Sequence, residues 1–166
     1  MRVYLPTTMV GLREALARGS LDVPTGFAVT PALREWYVEG DLEELEYAAT
    51  AAAARASLGL VAATADQPRR VVLAAEVPDA EVRPVGRVGG DDRAAVALSA
   101  AVPLRRVESA LVDDPSAADD VRAAIEVLAA AEAGDHDAIF TVDAVEDHEL
   151  GWYAAQELAV LVEVES

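Results

Sequence analysis

The plainest pattern in this chain is the alternation of two sets of residues over positions 71–77. Positions 71, 73, 75 and 77 hold Val, Leu or Ala, the other set ends in Glu76, and the segment stops at Pro78. A period of two is typical of a β-strand that buries one face. The pattern therefore predicts a half-buried strand with Pro78 as its boundary.

The N-terminal segment combines a short apolar run with signals for a helix. Residues 3–5 predict a first strand that ends at Pro6. Thr7 and Thr8 are candidate N-caps, because a threonine oxygen can accept a hydrogen bond from the free amides of the first turn. Gly19 is the matching stop signal. The segment therefore predicts a strand followed by a helix.

A second strand and a second helix follow. Residues 27–29 form an apolar run that predicts another buried strand. Thr30 and Pro31 are a cap and a first helical residue, and Gly40 is the next stop signal. Residues 31–40 are therefore predicted to be helical, with Trp36 and Tyr37 on that helix.

The longest predicted helix begins at Asp41 and ends near Ala63. Asp41 and Glu44 resemble a capping box, and acidic residues in the first turn suit the positive end of the helix dipole. Residues at helical spacing predict an inward stripe of mainly small side chains. The stripe consists of Leu42, Leu45, Ala49, Ala52, Ala56 and Leu60.

A weaker signal is a possible repeat. Residues 72–78 resemble residues 97–103, and Val82 corresponds to Val107. A fixed period indicates repeated units. Each unit here would consist of a strand, a corner marked by proline and a returning strand, and residues 107–112 would be the returning strand of the second unit. A chance match is the alternative, because the chain is rich in Ala and Val.

Two more segments are predicted from turn and cap signals. Residues 86–93 are rich in Gly and Asp and predict an exposed loop. Ser116 and Asp119 resemble a capping box that opens an Ala-rich helix, and Gly134 is the residue that ends it. Together the elements predict an α+β fold: a single domain over residues 1–166, with an antiparallel or mixed sheet covered by Ala-rich helices.

The charge is concentrated in the C-terminal third. Residues 111–166 contain fifteen Asp and Glu and a single base, Arg122, in a chain of net charge −17. Nucleic acids and anionic membranes are therefore not expected as partners, since both favour clustered bases. The partners left to consider are a basic protein and a divalent cation, and a third alternative is that the protein has no partner. A salt-loving source would also favour acidity, but it would spread the carboxylates over the whole surface.

The compartment is predicted from the lack of export and membrane signals, because a chain without Cys suits either redox compartment. The chain has no Cys, Asn or Lys, which is the bias of a high-GC genome, and the absence of Cys excludes disulfides and thiolate sites. Residues 1–10 lack the apolar core of a signal peptide, and no apolar run approaches the roughly 20 residues that span a bilayer. A cytoplasmic protein is expected.

Catalytic and metal-binding signals are weak. His136 and His148 each lie between two carboxylates, but adjacent residues do not converge on one ion, and no His pair at metal-binding spacing occurs. No metal site and no cofactor is predicted. No serine lies in a nucleophile-elbow motif, and phosphate-binding glycine loops are absent. The sequence therefore favours a protein that is not an enzyme, without excluding one.

The scarce aromatic residues occur in pairs, Trp36-Tyr37 and Trp152-Tyr153. On a predicted helix, His148, Trp152 and Gln156 would share one face. One interpretation is that both tryptophans fill gaps in a core of small residues. The alternative is that one pair is exposed among carboxylates and docks an Arg-bearing partner.

The chain resembles an uncharacterised family of acidic proteins of about 160 residues from high-GC Gram-positive (actinobacterial) genomes. The resemblance runs end to end and is carried by residues 2–8, 27–37, 40–49, 70–78 and 147–158. It implies a source and a cytoplasmic location, and no mechanism. Residues 18–20 and 27–30 also look like the opening of ADP-ribosyltransferase-like domains, although that family's Ser-Thr-Ser strand and catalytic Glu have no counterpart here.

The leading functional hypothesis is a protein interaction through an acidic C-terminal surface, with a basic protein as the expected partner. One rival is an enzyme whose site gathers Arg34 with Asp147 and His148, aided by Glu35 and Tyr37; a pocket containing them would favour it. A second rival is an acidic mimic of nucleic acid. The candidate binding surface comprises Arg34, Trp36, Tyr37, Asp147, His148, Trp152 and Tyr153.

Overall fold

The computed structural model describes residues 1–85 and 92–164. It shows an α+β domain, as predicted. The strands are β1 (Arg2–Thr7), β2 (Ser20–Leu21), β3 (Thr25–Phe27), β4 (Val71–Glu76), β5 (Val82–Pro84), β6 (Ala95–Leu98), β7 (Val102–Pro103), β8 (Val107–Asp113) and β9 (Leu150–Ala154). The α-helices are α1 (Met9–Arg18), α2 (Pro31–Trp36), α3 (Leu42–Thr64), α4 (Ala118–Glu132), α5 (His136–Asp143) and α6 (Leu158–Val164).

Seven strands form one sheet in the order β5-β6-β3-β1-β4-β8-β9, and β2 pairs separately with β7. Each described pairing is antiparallel. Strand β4 was predicted to be half-buried, but Val71 to Ala75 are buried without alternation. The reason is its central position, where helices cover both faces of the sheet. Strand β1 continues one residue beyond Pro6, because its pairing with β3 reaches only Tyr4 and leaves Pro6 outside that ladder.

The core has three parts. Val3, Leu5 and Leu73 belong to the cluster on one face of the sheet, together with residues of α1 and α6. The other face packs against α3, through residues such as Leu45 and Ala49. A third cluster joins the C-terminal half of α3 to α4 and α5. Helices α4 and α5 of the acidic C-terminal third therefore lie beside α3, whereas its last helix, α6, packs on the opposite face of the sheet.

Helix α3 begins as predicted, with the Asp41 carboxylate accepting a hydrogen bond from the Glu44 amide at 2.9 Å. The predicted stripe is wrong at both ends, where Leu42 and Leu60 are exposed. The buried face shifts along the helix, because α3 contacts the sheet first and then α4. Its buried residues are Leu45, Ala49, Ala53, Ala54, Ser57, Leu58 and Val61.

Helix α2 ends at Trp36, four residues before the predicted stop at Gly40. Thr30 caps it as predicted: its hydroxyl oxygen accepts a hydrogen bond from the Leu33 amide at 3.1 Å. Helix α4 ends next to Gly134, as predicted, where φ is +94°. Its predicted capping box is wrong: Asp114 accepts the Ser116 amide at 2.9 Å and opens a short 3-10 turn before α4 starts.

The two units of the predicted repeat each contain a corner of the same kind. Pro78 and Pro103 each precede a three-residue 3-10 turn that leads into a strand, β5 and β8 respectively. Arg106 and Glu81, one from each turn, form an ion pair at 2.9 Å. The strands before the two corners differ, since β4 is continuous whereas β6 and β7 are separate. The predicted loop at 86–93 falls mostly on residues 86–91, outside the described part of the chain.

The predicted C-terminal helix through Trp152 is wrong, because residues 150–154 form strand β9. Gly151 is a poor helix former, and tryptophan and tyrosine favour strands. The open side of β8 supplies the pairing partner, with Leu111 opposite Trp152. Helix α6 starts only at Leu158.

Candidate functional site

The predicted binding surface divides into two separate regions. Arg34, Trp36 and Tyr37 lie on or next to α2, which follows β3, whereas the other four residues lie at or before β9. Strands β1, β4 and β8 separate β3 from β9, so these two strands are about 19 Å apart at the usual strand spacing. The enzyme hypothesis requires Arg34 to lie next to Asp147 and His148. The fold places Arg34 in the other region, so this requirement is not met.

The first region is an exposed corner between α2 and α3. The guanidinium of Arg93 lies 3.5 Å from the centre of the Trp36 ring. The Thr30 hydroxyl donates to the Arg93 carbonyl, which joins this corner to the start of β6. Trp36 and Tyr37 are both exposed. The interpretation of Trp36 as a core residue is therefore wrong, because it is the last residue of α2 and its side chain is 52 % exposed.

The second region is the outer edge of the sheet, formed by β9. Trp152 is 64 % exposed, so it is not a core residue either. Tyr153 points to the opposite face and packs partly against the core of α1 and α6. Because Trp152 lies opposite Leu111, its side chain is on the face of the sheet that α3 covers. The indole thus lies on the outermost strand, beyond the reach of α3.

The free side of β9 presents backbone hydrogen-bonding groups. The Asp113 amide bonds to Arg70 beside β4, so by alternation Ala110 and Val112 direct their backbone groups toward β9. Their partners are Tyr153 and Gly151. The N–H and C=O of Trp152 therefore point away from β8.

The Ala154 amide confirms this alternation of backbone directions along β9. It donates to the Glu157 carboxylate at 2.7 Å instead of to β8. Ala154 and Trp152 are two residues apart, so their backbone groups point the same way. Strand β9 is thus a sheet edge, and within residues 1–85 and 92–164 no group bonds to the outward N–H and C=O of Trp152, which leaves them available to another strand.

Carboxylates surround this edge. Glu157 follows β9, and Glu149 and Asp147 precede it. Helix α4 adds Asp120, whose carboxylate lies 2.6 Å from the His148 Nε2 atom. The only base of the acidic third, Arg122, is paired with Asp119 at 3.0 Å. The field around β9 therefore favours a cationic partner.

A buried ion pair anchors the start of β9. Arg70 and Asp113 are 4 % and 0 % exposed and meet at 2.8 Å. The same guanidinium donates to the His148 carbonyl at 3.1 Å, which fixes the turn into β9. Sequence reasoning missed this pair. The available signal was an ionisable residue at the end of each of two apolar strands.

Asp114, next to it, is exposed. The hydrogen bond from the Ser116 amide lowers the pKa of its carboxyl below the ordinary value of 3.8.

A cavity of about 400 Å³ lies beneath the start of β9. Its ionisable groups belong to Arg55, Arg70, His148, Glu146 and Glu149. The walls are mainly apolar and include Ala51, Ala54, Leu58, Leu111, Val142 and Val145. His148 is the only member of the predicted surface that lines this cavity.

The family of the chain follows from its match to a known family model. Residues 1–162 match a family of unknown function, DUF6912. The chain belongs to this family. The predicted resemblance to an uncharacterised family is confirmed at that level. No match was found among curated proteins or solved structures.

The described residues of this DUF6912 member provide neither a metal-binding cluster nor a membrane-spanning helix. Within residues 1–85 and 92–164, no group of three or more His, Asp or Glu residues is arranged to hold a metal ion. In the same part of the chain, no helix has the length and apolar character needed to cross a membrane. The candidate sites are thus the β9 edge, the cavity beneath it and the α2 corner.

Proposed function

We propose that the protein binds a partner protein by adding an extended, basic segment of that partner to strand β9. The observation that carries the proposal is the outward direction of the Trp152 N–H and C=O on an edge strand. Such an edge is a template for a further strand. Strand β9 contains no proline and no charged side chain, the usual means of blocking it.

Charge complementarity selects the partner. Asp120, Asp147, Glu149 and Glu157 lie close to the edge, and the described bases nearby are engaged with carboxylates. An added strand places every second side chain on the face that carries Trp152. An Arg opposite Trp152 can stack on the indole and approach the carboxylates. The expected segment therefore alternates Arg with apolar or β-branched residues.

A second copy of the chain is a less suitable occupant. Each copy carries a net charge of −17, and four of its carboxylates lie close to this edge. Pairing two β9 strands would bring the same carboxylates together, at a cost that grows as salt is lowered. The charge pattern thus favours a different, basic chain.

Titration with short peptides tests the proposal. The probe is a capped Arg-Val-Arg-Val-Arg-Val peptide, followed by fluorescence anisotropy at low and physiological salt. We expect binding that weakens with salt, and no binding of the matched Glu-Val peptide. A third peptide with N-methyl groups on alternate amides keeps the charge and loses strand pairing. Equal binding of the N-methylated and parent peptides would show that attraction is only electrostatic.

Two substitutions at one position separate side chain from backbone. Trp152→Ala removes the indole and keeps the outward amide, and we expect at least a tenfold loss of affinity, in the range of an interface hot spot. Trp152→Pro also removes the amide, which takes no part in pairing with β8, so the fold should persist. Trp152→Pro should bind more weakly still. Equal affinities of the two variants would contradict strand addition.

Cellular context is inferred from the resemblance and from composition. We infer a cytoplasmic protein from a high-GC Gram-positive organism; the end-to-end resemblance supports both, and the use of Arg without Lys supports the source. Fractionation of the native cell with an antibody against the chain tests the location. Recovery in the secreted fraction would overturn it.

A further inference from the structure

The cavity beneath the start of β9 has an apolar interior and a charged mouth. Ala51, Ala54 and Leu58 of α3 face Leu111 of β8 across it. Val142 and Val145 close it on the side of α5. At about 400 Å³ it is within the range of cavities that hold small organic molecules, roughly 300–1,000 Å³.

The two arginines and the histidine that line the cavity each have a carboxylate partner. Arg70 is held by Asp113 at 2.8 Å. Arg55 lies 3.7 Å from Asp143, and His148 lies 2.6 Å from Asp120. The positive charges of Arg55 and Arg70 are therefore already balanced by carboxylates outside the lining, and the His148 ring is hydrogen-bonded to another such carboxylate.

The two carboxylates that line the cavity are not engaged in this way. Within residues 1–85 and 92–164, neither Glu146 nor Glu149 has an ion-pair partner. Both are exposed, so they lie at the mouth and not in the interior. The uncompensated charge at the cavity is thus negative.

We propose that this cavity binds a small organic cation, an amine or guanidine attached to a compact apolar body. The apolar body would replace water along the Ala, Leu and Val walls, and the cationic group would lie between Glu146 and Glu149. An anion would meet both carboxylates without a free base to offset them. The site uses the interior beneath Leu150, not the outward edge of β9, and so does not rest on strand addition.

Three probes with the same apolar body test the charge preference. They are tryptamine, 3-ethylindole and indole-3-acetate, which are a cation, a neutral molecule and an anion at neutral pH. Binding is measured by calorimetry, and protein amide shifts in NMR spectra locate it. We expect tryptamine to bind about tenfold more tightly than 3-ethylindole, and indole-3-acetate most weakly. The shifts should centre on Ala51, Leu111 and Leu150.

Matched variants separate the local carboxylates from the overall charge. Glu146→Gln with Glu149→Gln should reduce the preference for tryptamine over 3-ethylindole to within about twofold. The control, Glu126→Gln with Glu132→Gln on the exposed side of α4, changes the net charge equally and should leave the preference intact. Ala51→Leu, which fills the cavity, should weaken both probes.

Three outcomes would overturn the proposal. One is indole-3-acetate binding as tightly as tryptamine. Another is an equal loss of preference in the control variant, which would make the effect one of net charge. The third is no amide shift at the cavity residues with any probe at millimolar concentration.

Discussion

The two edges of the main sheet differ in how they are protected. Strand β5, at one end, contains Arg83 and Pro84, and the Arg106–Glu81 ion pair lies beside it. Strand β9, at the other end, has the sequence Leu-Gly-Trp-Tyr-Ala, with no proline and no charged side chain. Proline and charge are the usual means by which edge strands avoid further pairing. Only the β5 edge uses them.

This difference lies in the sequence and not in the fold. Both edges belong to one antiparallel sheet, and either could have carried a proline or a base. At β9 the charges lie around the strand instead of on it, and they are carboxylates. These surrounding carboxylates repel an acidic strand and attract a basic one. The contrast therefore supports selective pairing at β9.

The largest effect is expected at the anchor beneath β9. Asp113→Asn removes the partner of the buried Arg70 guanidinium and should lower the free energy of unfolding by about 3–5 kcal/mol, the usual cost of an unpaired buried charge. Since Arg70 also holds the His148 carbonyl, hydrogen exchange should accelerate more in β9 than in β5. Urea titration and exchange measured by NMR check both.

Asp22→Asn, at an exposed position, is the control for the loss of one carboxylate. If Asp113→Asn unfolds at the same urea concentration as the control, Arg70 has another source of compensation. Equal acceleration in β5 and β9 would show that the pair stabilises the whole sheet and not one edge.

The next effect concerns the two tryptophans. Trp152→Ala should change the free energy of unfolding by less than about 1 kcal/mol, because its indole is mostly exposed. Trp36→Ala should cost slightly more, since it also loses the Arg93 stacking, worth about 0.5–1 kcal/mol at an exposed site.

Leu73→Ala, at a fully buried position of β4, is the reference and should cost about 2–5 kcal/mol. Thermal and urea melts of the three variants give the order. A loss of core magnitude for Trp152→Ala would restore the interpretation that the indole is a structural residue.

Local signals in the sequence predicted local structure well. The caps at Thr30 and Asp41 and the stop at Gly134 are each decided by a few neighbouring residues, and the structure has all three. The α+β class also followed, because a period of two and a helical period alternate along the chain. Capping failed at Ser116, where the preceding Asp114 competes for the same amide.

The site depended on contacts that the sequence does not display. Whether residues 150–154 form a helix or a strand depends on the open side of β8, far earlier in the chain. The exposure of Trp152 follows from that same pairing, and the burial of Asp113 from its contact with Arg70. Position in the sheet, not residue type, decides each of these.

The smallest effect is the pH dependence linked to Asp114, at the end of β8 next to β9. The hydrogen bond from the Ser116 amide lowers the pKa of its carboxyl below 3.8. Because the folded pKa is lower than the unfolded pKa, the carboxylate adds stability above the unfolded value, and this stability is lost as pH falls through the folded pKa. The difference in unfolding midpoint between the wild type and Asp114→Asn should therefore be constant above about pH 5 and shrink in more acidic solution. Urea midpoints at a series of pH values measure it. Ser116→Pro removes the donor and should remove the same acid dependence, whereas a difference that grows as pH falls would show that Asp114 is protonated more readily in the folded state.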